Sequence, residues 1–165
     1  MSNIKQTTSL RNYQVGVAKI LELDATQDFM TELLDELHEN VSKDELGDDA
    51  AISFNGEIEK IKGKYEEFLQ FTGALDLTYY THDIITNEVM TDRLEQEVKC
   101  LLLTKEVGQK LQMEDEIEIE LNGEEYDLYF LDEDDCFNIK DVLHEYIYLN
   151  KNNYPKQATE SPAED

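Results

Sequence analysis

The chain has 165 residues, of which 40% are hydrophobic and 9% aromatic, and its 39 acidic residues against 14 basic ones give a formal net charge of −25. This length and composition suit one globular domain with a core of its own. The charge argues against direct binding to nucleic acid or to an anionic membrane, because both repel such a surface.

Targeting signals and thiol content bear on the compartment. Residues 1–12 contain no apolar run of the signal-peptide kind, and no stretch approaches 18 consecutive apolar residues. Two widely separated cysteines, Cys100 and Cys136, fit reduced thiols. We therefore expect a cytoplasmic protein, with a flexible arm at 1–11, a single α+β domain at 12–150 and a disordered tail at 151–165.

The first half of the domain begins with a predicted strand and helix. Residues 13–23 are rich in β-branched side chains, which predicts a strand. Asp24 and Gln27 have the spacing of a capping box, and an apolar stripe at helical spacing follows them: Phe29, Met30, Leu33, Leu34, Leu37 and Val41. Residues 42–50 form a charged loop. Residues 51–72 fit either a hairpin turning at Asn55-Gly56 or a helix capped by Asn55, and the longer periodic run favours the helix.

The second half is predicted to add a strand, an acidic hairpin and two more helices. Residues 74–81 read as a strand, and a long helix is expected from about Thr86, with Val89, Met90, Leu94, Val98, Leu101 and Leu102 inward. Residues 138–149 read as a final helix with Asn138 as its cap. The expected fold is α+β: a single compact domain in which an antiparallel sheet, including the acidic hairpin at about 116–131, packs against three to four amphipathic helices.

The acidic hairpin is the most unusual segment. Residues 113–135 hold 12 Asp or Glu among 23 residues and neither Lys nor Arg. Asn122-Gly123 predicts a two-residue turn, so one face carries Ile117, Ile119, Tyr126 and Leu128. The other face places Glu120 opposite Glu125 and Glu118 opposite Asp127. Like charges directly across a ladder destabilise it, by up to about 1 kcal/mol per pair.

Two explanations fit this acidic face. Lysines of a neighbouring strand could neutralise it, or the acids could serve solubility alone; alternatively, the face binds a cationic partner. We favour binding because residues 22–50 show the same excess, with 11 acids and one base, Lys43. The predicted partner-binding residues are acids of the hairpin, of the run after it and of the first helix: Glu116, Glu118, Glu120, Glu125, Asp127, Asp132, Glu133, Asp134, Asp135, Asp28, Glu32, Asp35, Glu36 and Glu39.

The motifs of common enzymes and metal sites are incomplete. Residues 132–143 place acids at some positions of a calcium loop, but Phe137 replaces its glycine and Leu143 its bidentate glutamate. No phosphate-binding loop or nucleophile elbow is present, and the histidines lack ligand spacing. His82 beside Asp83 is the best acid–base candidate, but neighbouring residues of a strand point to opposite faces. We expect no enzyme activity, cofactor or metal.

In composition, though in no motif, the chain resembles the small acidic inhibitors of phages and mobile elements. These DNA mimics, of the anti-restriction and anti-CRISPR kind, block nucleic-acid-binding defence enzymes. The resemblance implies an anti-defence protein that acts through protein–protein interaction with a basic target, and it transfers no site residue. The alternatives are an immunity protein, a chaperone or assembly factor for one basic partner, or a structural component.

Overall fold

The computed structural model describes residues 6–62, 67–106, 120–121 and 124–156, with only the backbone at 120–121 and 124–125. The strands are β1 (Thr7–Ser9), β2 (Lys19–Asp24), β3 (Ala51–Lys62), β4 (Glu67–His82), β5 (Val89–Leu103), β6 (Glu120–Leu121), β7 (Glu124–Glu125), β8 (Asp127–Phe130) and β9 (Cys136–Asn138). The helices are α1 (Asp28–Leu37) and α2 (Ile139–Asn150). Two short 3-10 turns are also present, at Leu10–Asn12 and Lys43–Glu45. None of the helices described is long and apolar enough to cross a membrane.

A five-stranded mixed sheet organises the domain. Its strand order is β2-β3-β4-β5-β8, antiparallel throughout except for the parallel pair β5 and β8. Both helices pack on one face, where α1 contacts β2, β3 and β4, and α2 contacts β5. β1 pairs with β9 in a small separate sheet. The α+β class is therefore confirmed, but the expectation of three to four helices is wrong, since the described residues form two.

Both helices lie where their apolar stripes predict. Phe29, Met30, Leu33 and Leu34 of α1 are buried, and so are Ile139, Val142, Leu143, Tyr146 and Ile147 of α2. The side chain of Asn138 caps α2 by accepting the N–H of Asp141. The Gln27 side chain accepts the N–H of Asp24 at 2.7 Å, which is half of the predicted capping box.

Two predicted helices are strands instead. Residues 51–62 form β3, residues 67–72 belong to β4, and residues 89–103 form β5. Asn55-Gly56 is not a turn either, since Gly56 lies inside β3 directly opposite Gly73 of β4. The predicted strand at 74–81 is part of β4, while the strand predicted at 13–23 is shorter and begins at Lys19.

The core is one cluster between the sheet and the helices, and a smaller one lies on the other face. The main cluster includes Phe54, Phe71 and Leu75 of the sheet. The smaller cluster comprises Phe68, Leu101 and Leu103, with Ile61, Tyr126 and Leu128 packed against it. Tyr126 and Leu128 thus contact apolar neighbours, as the hairpin pattern predicts. No described helix packs on that face of the sheet.

The chain ends contact the domain as far as they are described. β1 holds residues 7–9 against β9, and the carbonyl of Pro155, a buried residue, accepts the N–H of Ile84 at 2.8 Å.

Candidate functional site

The sheet face opposite the helices carries rows of acidic and small polar side chains. Strand register places them in three rows that cross β2, β3, β4 and β5 in order. The first row is Asp24, Ser53, Asp76 and Glu95; the second is Glu22, Asn55, Ala74 and Glu97; the third is Ile20, Glu57, Thr72 and Lys99. The first two rows have a carboxylate at each end, so acids border a floor of small residues.

These rows form a shallow trough. Neighbouring strands lie about 4.8 Å apart, so the acids on β2 and β5 are separated by about 14 Å. A cavity of about 740 Å³ occupies the part of this trough between β3 and β5, and its lining includes Asn55, Thr72, Ala74, Glu95 and Glu97. We call this surface the acidic trough and define it by the three rows together with Glu59, the next residue of β3 on the same face. It is concave, and its first two rows are rimmed by negative charge.

The basic residues on this face do not neutralise it. Its acids number seven, namely Glu22, Asp24, Glu57, Glu59, Asp76, Glu95 and Glu97, against Arg93 and Lys99 among the residues described. Arg93 Nη2 lies 2.9 Å from Asp76 Oδ2 and 3.1 Å from Glu95 Oε2. The hydrogen bond from Arg93 lowers the pKa of Asp76. The Lys99 ammonium lies 5.1 Å from the centre of the Tyr126 ring.

The predicted acids of α1 lie on the opposite side of the sheet, and two of them have a structural role. Lys140 Nζ of α2 lies 2.9 Å from Glu32 Oε1 and 2.9 Å from Glu36 Oε2. His144 Nε2 lies 3.5 Å from the other Glu36 oxygen. Glu32 and Glu36 therefore link the two helices. The remaining acids of the helix are exposed: Asp28, Asp35 and, just beyond its end, Glu39.

Asp127 of β8 faces α2. The Tyr146 hydroxyl donates a hydrogen bond to its carboxylate and accepts one from the backbone N–H of Lys99 at 3.2 Å. Burial and this bond to Asp127 raise the pKa of Tyr146. Burial also raises the pKa of Cys100. Asp127 thus anchors α2 to the sheet and lies apart from the trough.

The acidic run after β8 forms a turn. The Asp132 carboxylate accepts the N–H groups of Asp134 and Cys136, at 2.8 and 3.0 Å, and Asp135 has a positive φ of 59°. Glu133 lies 3.6 Å from Lys105. This run is therefore a surface turn, and the carboxylate of its first acid, Asp132, is hydrogen-bonded by backbone N–H groups of the same turn.

The tip of the acidic hairpin has the predicted backbone register. Glu120 pairs with Glu125 and Leu121 with Glu124. Glu116 and Glu118 lie outside the described residues, as does the predicted pairing of Glu118 with Asp127.

The arrangement at His82 and Asp83 is structural. Asp83 is buried, and its Oδ1 accepts the N–H groups of Ile85 and Thr86, at 2.7 and 3.0 Å, within the turn between β4 and β5. Its carboxylate therefore stabilises a turn. Across the described ranges, no three His, Cys, Asp or Glu residues come together as metal ligands would. Both cysteines are free.

Sequence reasoning missed the trough because it assigned β3 and β5 to helices. The signal was an alternation of period two. In β3, Ile52, Phe54 and Ile58 are buried on one face, whereas Asn55, Glu57 and Glu59 on the other face are not. The trough therefore becomes visible only once these residues are read as strands.

No family model, curated protein or solved structure matches this chain.

Proposed function

We propose that this protein binds a basic, nucleic-acid-binding protein through the acidic trough and thereby blocks access of nucleic acid to that target. The observation that carries the proposal is the charge of the sheet face on which no described helix packs: among the described residues it has seven acids and two bases. An ordinary solvated sheet face mixes both signs of charge, because like charges on neighbouring strands destabilise it.

The dimensions of the trough support mimicry of nucleic acid. Its acidic borders lie about 14 Å apart by strand spacing, and the major groove of B-DNA is about 12 Å wide between its phosphate backbones. An element of the target protein that enters the groove with lysine and arginine side chains would find carboxylates at a comparable separation in the acidic trough. The net charge of −25 would also steer a basic partner towards the protein, with fast association that weakens as salt rises.

The test is affinity capture on the immobilised protein from nuclease-treated lysate of the source cells. At about 0.1 M salt we expect one basic nucleic-acid-binding protein to be retained, and we expect added duplex DNA or about 0.5 M salt to release it. A partner that persists through high salt and ignores DNA would contradict the proposal and favour a cognate immunity or assembly role. Capture of no basic protein would also contradict it.

A further inference from the structure

Strand β2 is the last strand at one side of the five-stranded sheet. β3 pairs with one side of it from Lys19 to Asp24, and no described strand pairs with the other. Residues Lys19, Ile20, Glu22 and Asp24 are exposed, whereas Leu21 and Leu23 are buried in the core. In an antiparallel pair, alternate residues direct their N–H and C=O groups away from the partner. At Asp24 these groups are occupied, because its N–H bonds to Gln27 Oε1 and its C=O accepts the N–H of Gln27. Ile20 and Glu22 are therefore the residues of β2 that direct backbone donors and acceptors away from β3 without a partner among the described residues.

This edge lacks two of the features that protect exposed strands from pairing, although it carries the charges of Lys19, Glu22 and Asp24. Its register with β3 is continuous, without a bulge, and it contains no proline. Ile20 is 64% exposed on the trough side of the strand. Val15 and Val17, just before the strand, are 47% and 56% exposed. A regular edge with exposed apolar side chains is a template for another strand.

We infer that this edge binds an extended segment of the partner as a sixth strand, which extends the acidic trough. The inference rests on the proposed function and adds how the partner is held. On the trough side, residues of an added strand would lie opposite Ile20, Glu22 and Asp24, with Cβ atoms about 5 Å away. The matching segment has one apolar and two basic residues at alternate positions. A second copy of the chain does not fit, because each copy carries a net charge of −25.

The test uses as the probe a short synthetic peptide that carries one valine and two lysines at successive alternate positions, with threonine at the positions between them. Its control has the same side chains, but backbone N-methyl groups remove its hydrogen-bond donors. Affinity is measured by fluorescence anisotropy, and amide hydrogen exchange of the protein is followed by NMR with and without peptide. We expect the control to bind at least about tenfold more weakly, because several backbone hydrogen bonds are lost. We also expect exchange to slow at Ile20 and Glu22 of β2, whereas the N–H of Asp24 is already bonded to Gln27.

Equal affinity for the two peptides would overturn the inference, because charge alone would then explain binding. Absence of binding, slowed exchange confined to other strands, or protection of β2 in concentrated protein without peptide would overturn it too. These outcomes are separate from failure of the proposed function. Capture of a DNA-competed basic protein without protection of β2 refutes only the strand pairing. Peptide-dependent protection of β2 without any captured basic protein supports the strand pairing and refutes only the proposed target.

Discussion

At the scale of single residues, the close approach of Gly56 and Gly73 explains how β3 and β4 pair. A Cβ on Gly73 would lie 2.5 Å from Phe54 Cζ and 2.6 Å from the Asn55 carbonyl oxygen. A Cβ on Gly56 would collide with the Thr72 carbonyl oxygen. The Phe54 ring thus covers the glycine pair on the core side, and no side chain fits there. Glycine is therefore required at position 56, and Asn55-Gly56, a dipeptide typical of turns, lies within strand β3.

Replacing Gly73 with alanine should therefore destabilise the fold. We expect Gly73→Ala to lower the free energy of unfolding by about 2–3 kcal/mol, because backbone and a core ring must move to admit the methyl group. Urea denaturation followed by circular dichroism measures this. Thr72→Ala, on the opposite face, is the control and should change it by about 0.5 kcal/mol or less. An equal effect of the two substitutions would show that the glycine pair is not tightly packed.

The buried tyrosines predict a loss of stability at alkaline pH. Burial, followed by the nearby Asp92 carboxylate, raises the pKa of Tyr79 to about 12. Burial also raises the pKa values of Tyr129 and Tyr146. In the unfolded chain, tyrosine loses its proton near pH 10. Since the raised pKa values belong to the folded state, their stabilising contribution is complete below pH 10 and is lost as pH rises towards about 12.

Urea denaturation at pH 8, 10 and 11.5 tests this, together with the absorbance of tyrosinate. Tyr79→Phe should lose less stability between pH 10 and 11.5 than the wild type, because phenylalanine has no proton to lose. The exposed Tyr154 supplies the control in Tyr154→Phe, which should follow the wild type. Titration of all nine tyrosines near pH 10 without loss of stability would contradict the assignment.

At the scale of elements, Lys140 connects α1 to α2. Its side chain is only 17% exposed and holds Glu32 and Glu36, which would otherwise repel each other. We expect Lys140→Met to lower the free energy of unfolding by about 1 kcal/mol at low salt, and by less at about 0.5 M NaCl. Lys43→Met, which removes the same charge from the loop after α1, is the control. A salt-independent loss, or none, would show that the bridge contributes little.

The elements also show how far this sequence predicts its own fold. The apolar stripes of α1 and α2 include neighbours three and four residues apart, such as Phe29, Met30 and Leu33, which only a helix brings to one side. In β5, Met90, Leu94, Val98 and Leu102 of the predicted stripe repeat every four residues, whereas Val89 and Leu101, which the stripe also included, lie on the other face of the strand. A spacing of four residues repeats on one face of a strand as well as of a helix, so the pattern could not separate the two. In the structure these residues pair with β4 and therefore form a strand.

The acidic trough could not be predicted for a related reason. Its rims come from β2 and β5, which are far apart in the sequence and meet only through the register of β3 and β4 between them. The local density of acidic residues is highest at Asp132–Asp135 and along α1, so the sequence points to those segments. The fold assigns Asp132 to a turn and Glu36 to a helix contact. The alternation of period two marks β3 as a strand, but negative charge gathered from separated strands produces no run of acids in the sequence.

At the scale of the whole molecule, acids lie on both sides of the domain, so a general attraction for cations is the simplest competing explanation of any binding. Two matched variants separate the explanations. Glu57→Lys/Glu95→Lys/Glu97→Lys reverses three charges in the trough. Asp28→Lys/Asp35→Lys/Glu39→Lys reverses three exposed charges on the helix side. Both change the net charge equally and relieve self-repulsion. The trough variant loses the contact of Glu95 with Arg93 and the helix-side variant loses the first-turn acid Asp28, each a small cost because these groups are exposed, so both should remain folded.

The most direct measurement is the affinity of these two variants for the captured basic partner, by titration calorimetry at about 0.1 M salt. Our account predicts that the trough variant loses at least about a hundredfold in affinity, because contacting charge pairs turn repulsive, whereas the helix-side variant loses tenfold or less. Equal losses would show that net charge alone governs binding. A larger loss in the helix-side variant would place the interface on α1 and contradict the assignment of the trough.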